Sequence, residues 1–87
     1  MAPLTGLKVI EAASFLSGPM AGMMLADLGA SVVKVEPPRG DPYRRFGKPY
    51  GDSSLLFKAT NTNKTSVALD LKSEDGISAL FDLLADA

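Results

Sequence analysis

Three short stretches hold the side chains and backbone groups that could bind or transform a ligand. Phe15-Leu16-Ser17-Gly18-Pro19 joins an apolar run to a helical repeat. A turn that opens a helix after a strand offers free N–H groups and the positive end of the helix to a phosphate. The same residues also make a plain strand-to-helix turn. Arg39, Arg44, Arg45 and Lys48 form a basic segment that could clamp phosphates or an acidic substrate, or could be a solvated charged surface. Asn61-Thr62-Asn63-Lys64-Thr65-Ser66 could contact phosphate or simply turn the chain. Asp27, Asp41, Asp52 and Asp70 are the acids available for general-base or nucleophile work, and none has an evident partner in the sequence. The dinucleotide pattern G-x-G-x-x-G is absent, since only Gly18 and Gly22 stand near its positions. Glu36 follows Gly18 by 18 residues, where a ribose-binding acid could sit.

Composition narrows the chemistry. The 87 residues contain no Cys and no His, which excludes a disulfide, a thiolate nucleophile, an ordinary zinc site and a His-based triad within them. The formal net charge of −1 lacks the basic excess of a nucleic-acid binder, so no nucleic-acid partner is expected. Charge is nonetheless segregated: residues 34–64 carry net +4 and the stretch from Thr65 carries net −4. No run approaches the roughly 18 apolar residues of a membrane span. The first residues lack the basic start and apolar core of a signal peptide. A cytoplasmic protein is expected, with the mitochondrial matrix or a peroxisome as eukaryotic alternatives.

These groups need elements to position them. Leu7, Val9 and Ile10 predict a buried strand from about Lys8 to Ala12. Met20, Met24 and Leu28, flanked by Ala21 and Leu25, predict an apolar helical face that starts near Pro19 and stops at Gly29. Val32, Val33 and Val35 predict a second strand over residues 31–36. Strand, helix and strand make a βαβ unit with a parallel sheet. Residues 37–54, rich in Pro and Gly, predict a long basic loop. Residues 55–59 suit a strand or a helix equally. Val67, Leu69 and Leu71 predict a third strand over residues 66–71. Ser73 is an N-cap for a helix in which Ile77, Leu80, Phe81 and Leu84 share one face. The fold class is therefore α/β, a partial Rossmann-like parallel sheet with a further strand and helix. Three strands and two helices are few for a doubly wound domain, so an incomplete domain prone to aggregation or a molten state is expected.

Four motifs in order carry a resemblance. They are Pro3-Leu4-x-Gly6-Leu7-Lys8-Val9; Ser17-Gly18-Pro19 with Leu25-Ala26-Asp27-Leu28-Gly29-Ala30; Val33-Lys34-Val35-Glu36-Pro37-Pro38 with Gly40-Asp41-Pro42 and Arg45; and Asn61-x-Asn63-Lys64-x-Ser66-Val67-Ala68-Leu69-Asp70-Leu71-Lys72. Together they resemble the N-terminal part of the large domain of class III coenzyme A transferases. The resemblance covers residues 3–87. It implies transfer of coenzyme A between carboxylic acids through an aspartyl-CoA thioester, with acyl-CoA and free acids as substrates and no tightly bound cofactor. It implies an interlaced homodimer. It places Leu16 and Ser17 beside the thioester and Leu69, Asp70, Leu71 and Lys72 along the nucleotide end of coenzyme A. Where some relatives use an Arg after the strand-ending Glu to bind the adenosine phosphate, this chain has Pro37, and Arg39 is the candidate to take its place.

The nucleophilic Asp of the family matches no Asp in this sequence, so no catalytic residue is assigned and the 87-residue chain by itself is expected to be inactive. Two other readings are carried forward. One is an α-methylacyl-CoA racemase of the same family, which exchanges a proton beside the thioester and transfers no coenzyme A. The other is a non-catalytic interaction module that pairs through an open sheet edge.

Overall fold

The computed structural model describes residues 2–13, 16–51 and 53–87. Three parallel strands form its sheet in the order β1-β2-β5: β1 is Lys8–Glu11, β2 is Ser31–Glu36 and β5 is Lys64–Ala68. The register pairs Ile10 with Val33 and Val35 with Val67. Helix α1, Ser17–Asp27, joins β1 to β2 and completes the expected βαβ unit. Gly29 ends the turn after it at φ +103, a conformation that glycine adopts without strain. Ala26, Ala30 and Val32 form the core, with Leu4, Val9 and Leu25 packed against it.

The helix does not bury the face that its large apolar residues suggested. Pro19, Gly22 and Ala26 point inward, while Met20, Met24 and Leu28 are exposed. The cause lies beneath the helix. A Cβ on Gly22 would run into the Glu11 carboxylate, so only a small residue lets α1 settle on the sheet there.

The expected loop over residues 37–54 is largely ordered. A 3-10 turn spans Pro42–Arg45, and two short antiparallel strands follow, β3 (Pro49–Tyr50) and β4 (Ser53–Ser54). Helix α2, Leu55–Thr60, resolves the ambiguous stretch as helical. The polar residues that signal a loop act here as caps. Asp41 Oδ1 accepts from Tyr43 N at 3.0 Å, and Ser54 Oγ accepts from Phe57 N at 3.0 Å while donating to the Tyr43 carbonyl.

The third strand starts and ends earlier than its alternation suggested. Lys64 opens β5 because its ammonium is drawn inward, 2.8 Å from the Pro19 carbonyl and 2.6 Å from Asn61 Oδ1. Asn63 takes the turn at φ +64. Beyond Ala68, Leu69 N still bonds to the sheet, to Glu36 O at 2.8 Å, and Leu71 lies outside β5. Helix α3, Glu74–Leu84, is capped by Ser73 Oγ accepting from Gly76 N at 3.0 Å, as expected. Its face of Ile77, Phe81 and Leu84 is exposed. Among the described residues no helix is long and apolar enough to cross a membrane.

Candidate functional site

Parallel strands deliver their carboxyl ends to one edge of the sheet, and ligand sites of open α/β folds form there. In this chain that edge holds a cleft of about 760 Å³. Ala12 and Ala13 follow β1, Pro37 and Pro38 follow β2, and residues 69–72 follow β5. Arg39, Gly40, Pro42 and Arg45 close the remaining side. Thus Arg39, Leu69, Asp70, Leu71 and Lys72, named from the sequence, meet in one wall although some 30 residues separate the two groups.

Leu16 and Ser17 do not line this cleft. They form the first turn of α1, where the Leu16 carbonyl accepts from Met20 N at 2.8 Å. The turn is close to the cleft through Ala13: a Cβ on Gly18 would overlap the Ala13 methyl. Ser14, Phe15 and Asp52 lie outside the described residues.

The cationic groups in and beside the wall divide by their partners. Arg44 is spent on Glu36, with Nε 2.7 Å from Oε1 and Nη2 2.7 Å from Oε2. Arg45 Nη1 donates to the Arg39 carbonyl at 2.8 Å. The Arg39 side chain is exposed, and among the described residues no hydrogen bond or ion pair engages its guanidinium. Lys72 is exposed, with its backbone N–H fixed to Asp70 Oδ1 at 3.0 Å. Of Arg39, Arg44, Arg45 and Lys48, which the sequence allows as a clamp or as a solvated surface, Arg39 and Arg45 line the cleft and Arg44 and Lys48 do not.

Glu36 does not stand free for a ribose. Its carboxylate is buried and accepts from Arg44, from Asp41 N at 2.7 Å and from the Ser66 hydroxyl. The bonded Arg44 guanidinium lowers its pKa to about 2, against the opposing effect of burial and with help from Asp41 N–H and Ser66. A second buried charge group sits beneath α1. Lys34, 1% exposed, places Nζ 2.8 Å from Glu11 Oε2 and 2.9 Å from Asp41 Oδ2. Lys64 Nζ is 2.5 Å from Glu11 Oε1. Burial pushes the Lys64 ammonium below its ordinary pKa, with Glu11 pulling the other way.

The four acids considered from sequence thus have structural employment where they are described. Asp27 Oδ1 accepts from Asn63 at 3.1 Å, Asp41 is buried on Lys34, and Asp70 holds the turn before α3. Sequence reasoning missed Glu11, Lys34 and Lys64 as one cluster. The available signal was Lys34 itself, a charge inside the β-branched run V-V-K-V-E, which a buried strand tolerates only with a partner.

Comparison with known proteins gives a consistent result. Residues 4–87 match the family model described as CoA-transferase family III. The chain is 43% identical over 93 residues to succinate--glutarate CoA-transferase of Agrobacterium fabrum, covering 98% of this chain and 23% of that protein. It is 42% identical over 88 residues to cinnamoyl-CoA:phenyllactate CoA-transferase of Clostridium sporogenes, covering 95% and 21%. A crystal structure of a CAIB/BAIF family protein from Brucella suis superposes with a TM-score of 0.93 at 43% identity, over 99% of this chain and 24% of that one. The chain thus spans about a quarter of the length of the proteins it matches.

Proposed function

The chain belongs to CoA-transferase family III, and from that premise we propose that it supplies the nucleotide side of a coenzyme A site in an acyl-CoA:carboxylic acid CoA-transferase. One observation carries the proposal: the cleft at the carboxyl ends of the strands unites Arg39 with residues 69–72. Apolar walls from Pro37, Pro38, Leu69 and Leu71 suit the flat adenine. The unengaged Arg39 guanidinium suits the adenosine phosphate, and Lys72 adds a second cation. The first turn of α1, with Leu16 and Ser17, meets Ala13 of the cleft through Gly18, which supports assigning its backbone groups to the thioester end.

The relatives support a role tied to what their substrates share. One is named for succinate and glutarate, the other for cinnamoyl-CoA and phenyllactate, yet this segment is about equally similar to both. The common ligand in those names is coenzyme A. The acid is then selected, and the aspartyl-CoA thioester formed, by residues of the whole protein outside this segment. The interlaced homodimer of the family is proposed with it, since the exposed faces of α1 and α3 supply apolar surface for further packing.

The test uses the whole protein that carries this segment. Incubation of an acyl-CoA with a series of carboxylic acids, followed by mass spectrometry, is expected to yield new acyl-CoA only when an acceptor acid is present. Lys72→Ala is expected to raise KM for acyl-CoA by roughly tenfold, the low end of the worth of one charge-assisted hydrogen bond, with KM for the acid unchanged. Proton exchange beside the thioester without any acid requirement would instead establish the racemase and overturn the transferase reading.

A further inference from the structure

Arg44, which the sequence grouped with the clamp, is placed behind the cleft rather than in its wall. It lines a smaller hollow of about 310 Å³ with Ser66 and Ala68, a hollow that Pro38, Arg39 and Gly40 share with the cleft. Its guanidinium carbon lies 4.1 Å from the centre of the Phe57 ring, and its two bonds to Glu36 have the paired geometry of a fork on a carboxylate.

Glu36 carries this fixation to the backbone. The Oε1 atom that meets Arg44 also accepts from Asp41 N at 2.7 Å, closing residues 36–41 into a loop. The Asp41 carboxylate in turn reaches buried Lys34 at 2.9 Å. Gly40 makes the closure possible. It sits at φ +84, and a Cβ there would lie 2.9 Å from Arg44 Cδ and 3.4 Å from Glu36 Oε1. Arg39 therefore projects from a short loop held at both ends, with its own carbonyl bonded to Arg45. A cation held this way loses little freedom when it meets a ligand.

We propose that Arg44, through its ion pair with Glu36, is a positioning residue that holds the loop of residues 36–41 so that Arg39 is presented to the phosphorylated adenosine end of the ligand. The proposal rests on the coenzyme A reading of the cleft given above. Arg44 itself touches no ligand.

Calorimetric titration of the whole protein with coenzyme A and with dephospho-coenzyme A tests it. The unaltered protein is expected to prefer coenzyme A. Arg39→Ala is expected to weaken coenzyme A by roughly tenfold, as loss of a charged hydrogen bond does, and to leave dephospho-coenzyme A nearly unchanged. Arg44→Gln is expected to erase the same preference, Arg44→Lys to restore part of it, and the Arg39→Ala/Arg44→Gln double variant to bind no worse than Arg39→Ala alone. Gly40→Ala, which keeps both ionic partners, should reproduce the Arg44→Gln pattern. Weakening of both ligands alike by Arg44→Gln, or an equal penalty in the Arg39→Ala background, would show a general structural role and overturn the proposal. If Arg39→Ala changes neither ligand, the coenzyme A reading of Arg39 falls, and the proposal with it.

Discussion

Lys34 stands in the middle of the central strand with its ammonium between the Glu11 and Asp41 carboxylates. Removing one member of a buried ionic group leaves the others without compensation, which costs about 3–5 kcal/mol. Lys34→Ala is therefore expected to lower stability by about that amount, read as a shift in denaturant midpoint. A loss under about 1 kcal/mol would mean that the group is more hydrated than its burial indicates. Glu36 makes a pH-dependent contribution. Its folded pKa of about 2 lies below the ordinary 4.5. A depressed carboxylate stabilises the fold above its unfolded pKa, and that contribution is lost as pH falls toward the folded pKa. The gap corresponds to about 3 kcal/mol, present above about pH 4.5 and gone near pH 2. Denaturant titrations across this range should show a steeper acid decline for the unaltered protein than for Glu36→Gln. At this scale the sequence was only partly legible. Arg39 and Lys72 are surface cations whose freedom could be guessed, whereas the pairing of Arg44 with Glu36 depends on a turn that composition alone reads as loop.

Elements with strong local signals were readable because local chemistry decides them. Ser73 before Glu74 and Asp75 marks the start of α3, and the structure uses Ser73 Oγ as the cap. Ser73→Ala is expected to cost about 1 kcal/mol, and fraying of the first turn of α3 by hydrogen exchange would accompany it. Gly76→Ala should be worse, since its Cβ would collide with the Asp70 carbonyl that shapes the cleft wall. The harder elements were those in which tertiary contact overrides pattern. The alternation of Val67, Leu69 and Leu71 suggested a strand running to Leu71, but β5 is drawn back to Lys64 by the buried Glu11 and the Pro19 carbonyl. The Pro and Gly of residues 37–54 were correct as signals of turns. They did not reveal that Asp41 and Ser54 cap two helical pieces between those turns.

The molecule as a whole combines a well-tied sheet with helices whose large apolar residues face outward. Met24 is 57% and Phe81 65% exposed, while the core is built from Ala26, Ala30 and Val32. A core of this size stabilises weakly, and exposed apolar faces seek further packing. In the 87-residue chain studied alone, α3 amides should exchange faster than those of β2, and a hydrophobic dye should bind; equal protection of both elements would contradict that expectation. The α/β class, the βαβ unit and the family were legible because they rest on valine-rich strands and on motifs spread over the whole chain. Burial at α1 was not, because the charges that decide it come from three separate strands and a turn.

On the proposed function, residues 37–45 and 69–72 receive the nucleotide end of coenzyme A. Hydrogen-exchange mass spectrometry of the whole protein with and without coenzyme A tests it most directly. The account predicts slowed exchange in peptides covering 37–45 and 69–72, with a weaker effect at the start of α1. Bound coenzyme A that leaves both peptides unchanged while protecting other parts of the chain would contradict it.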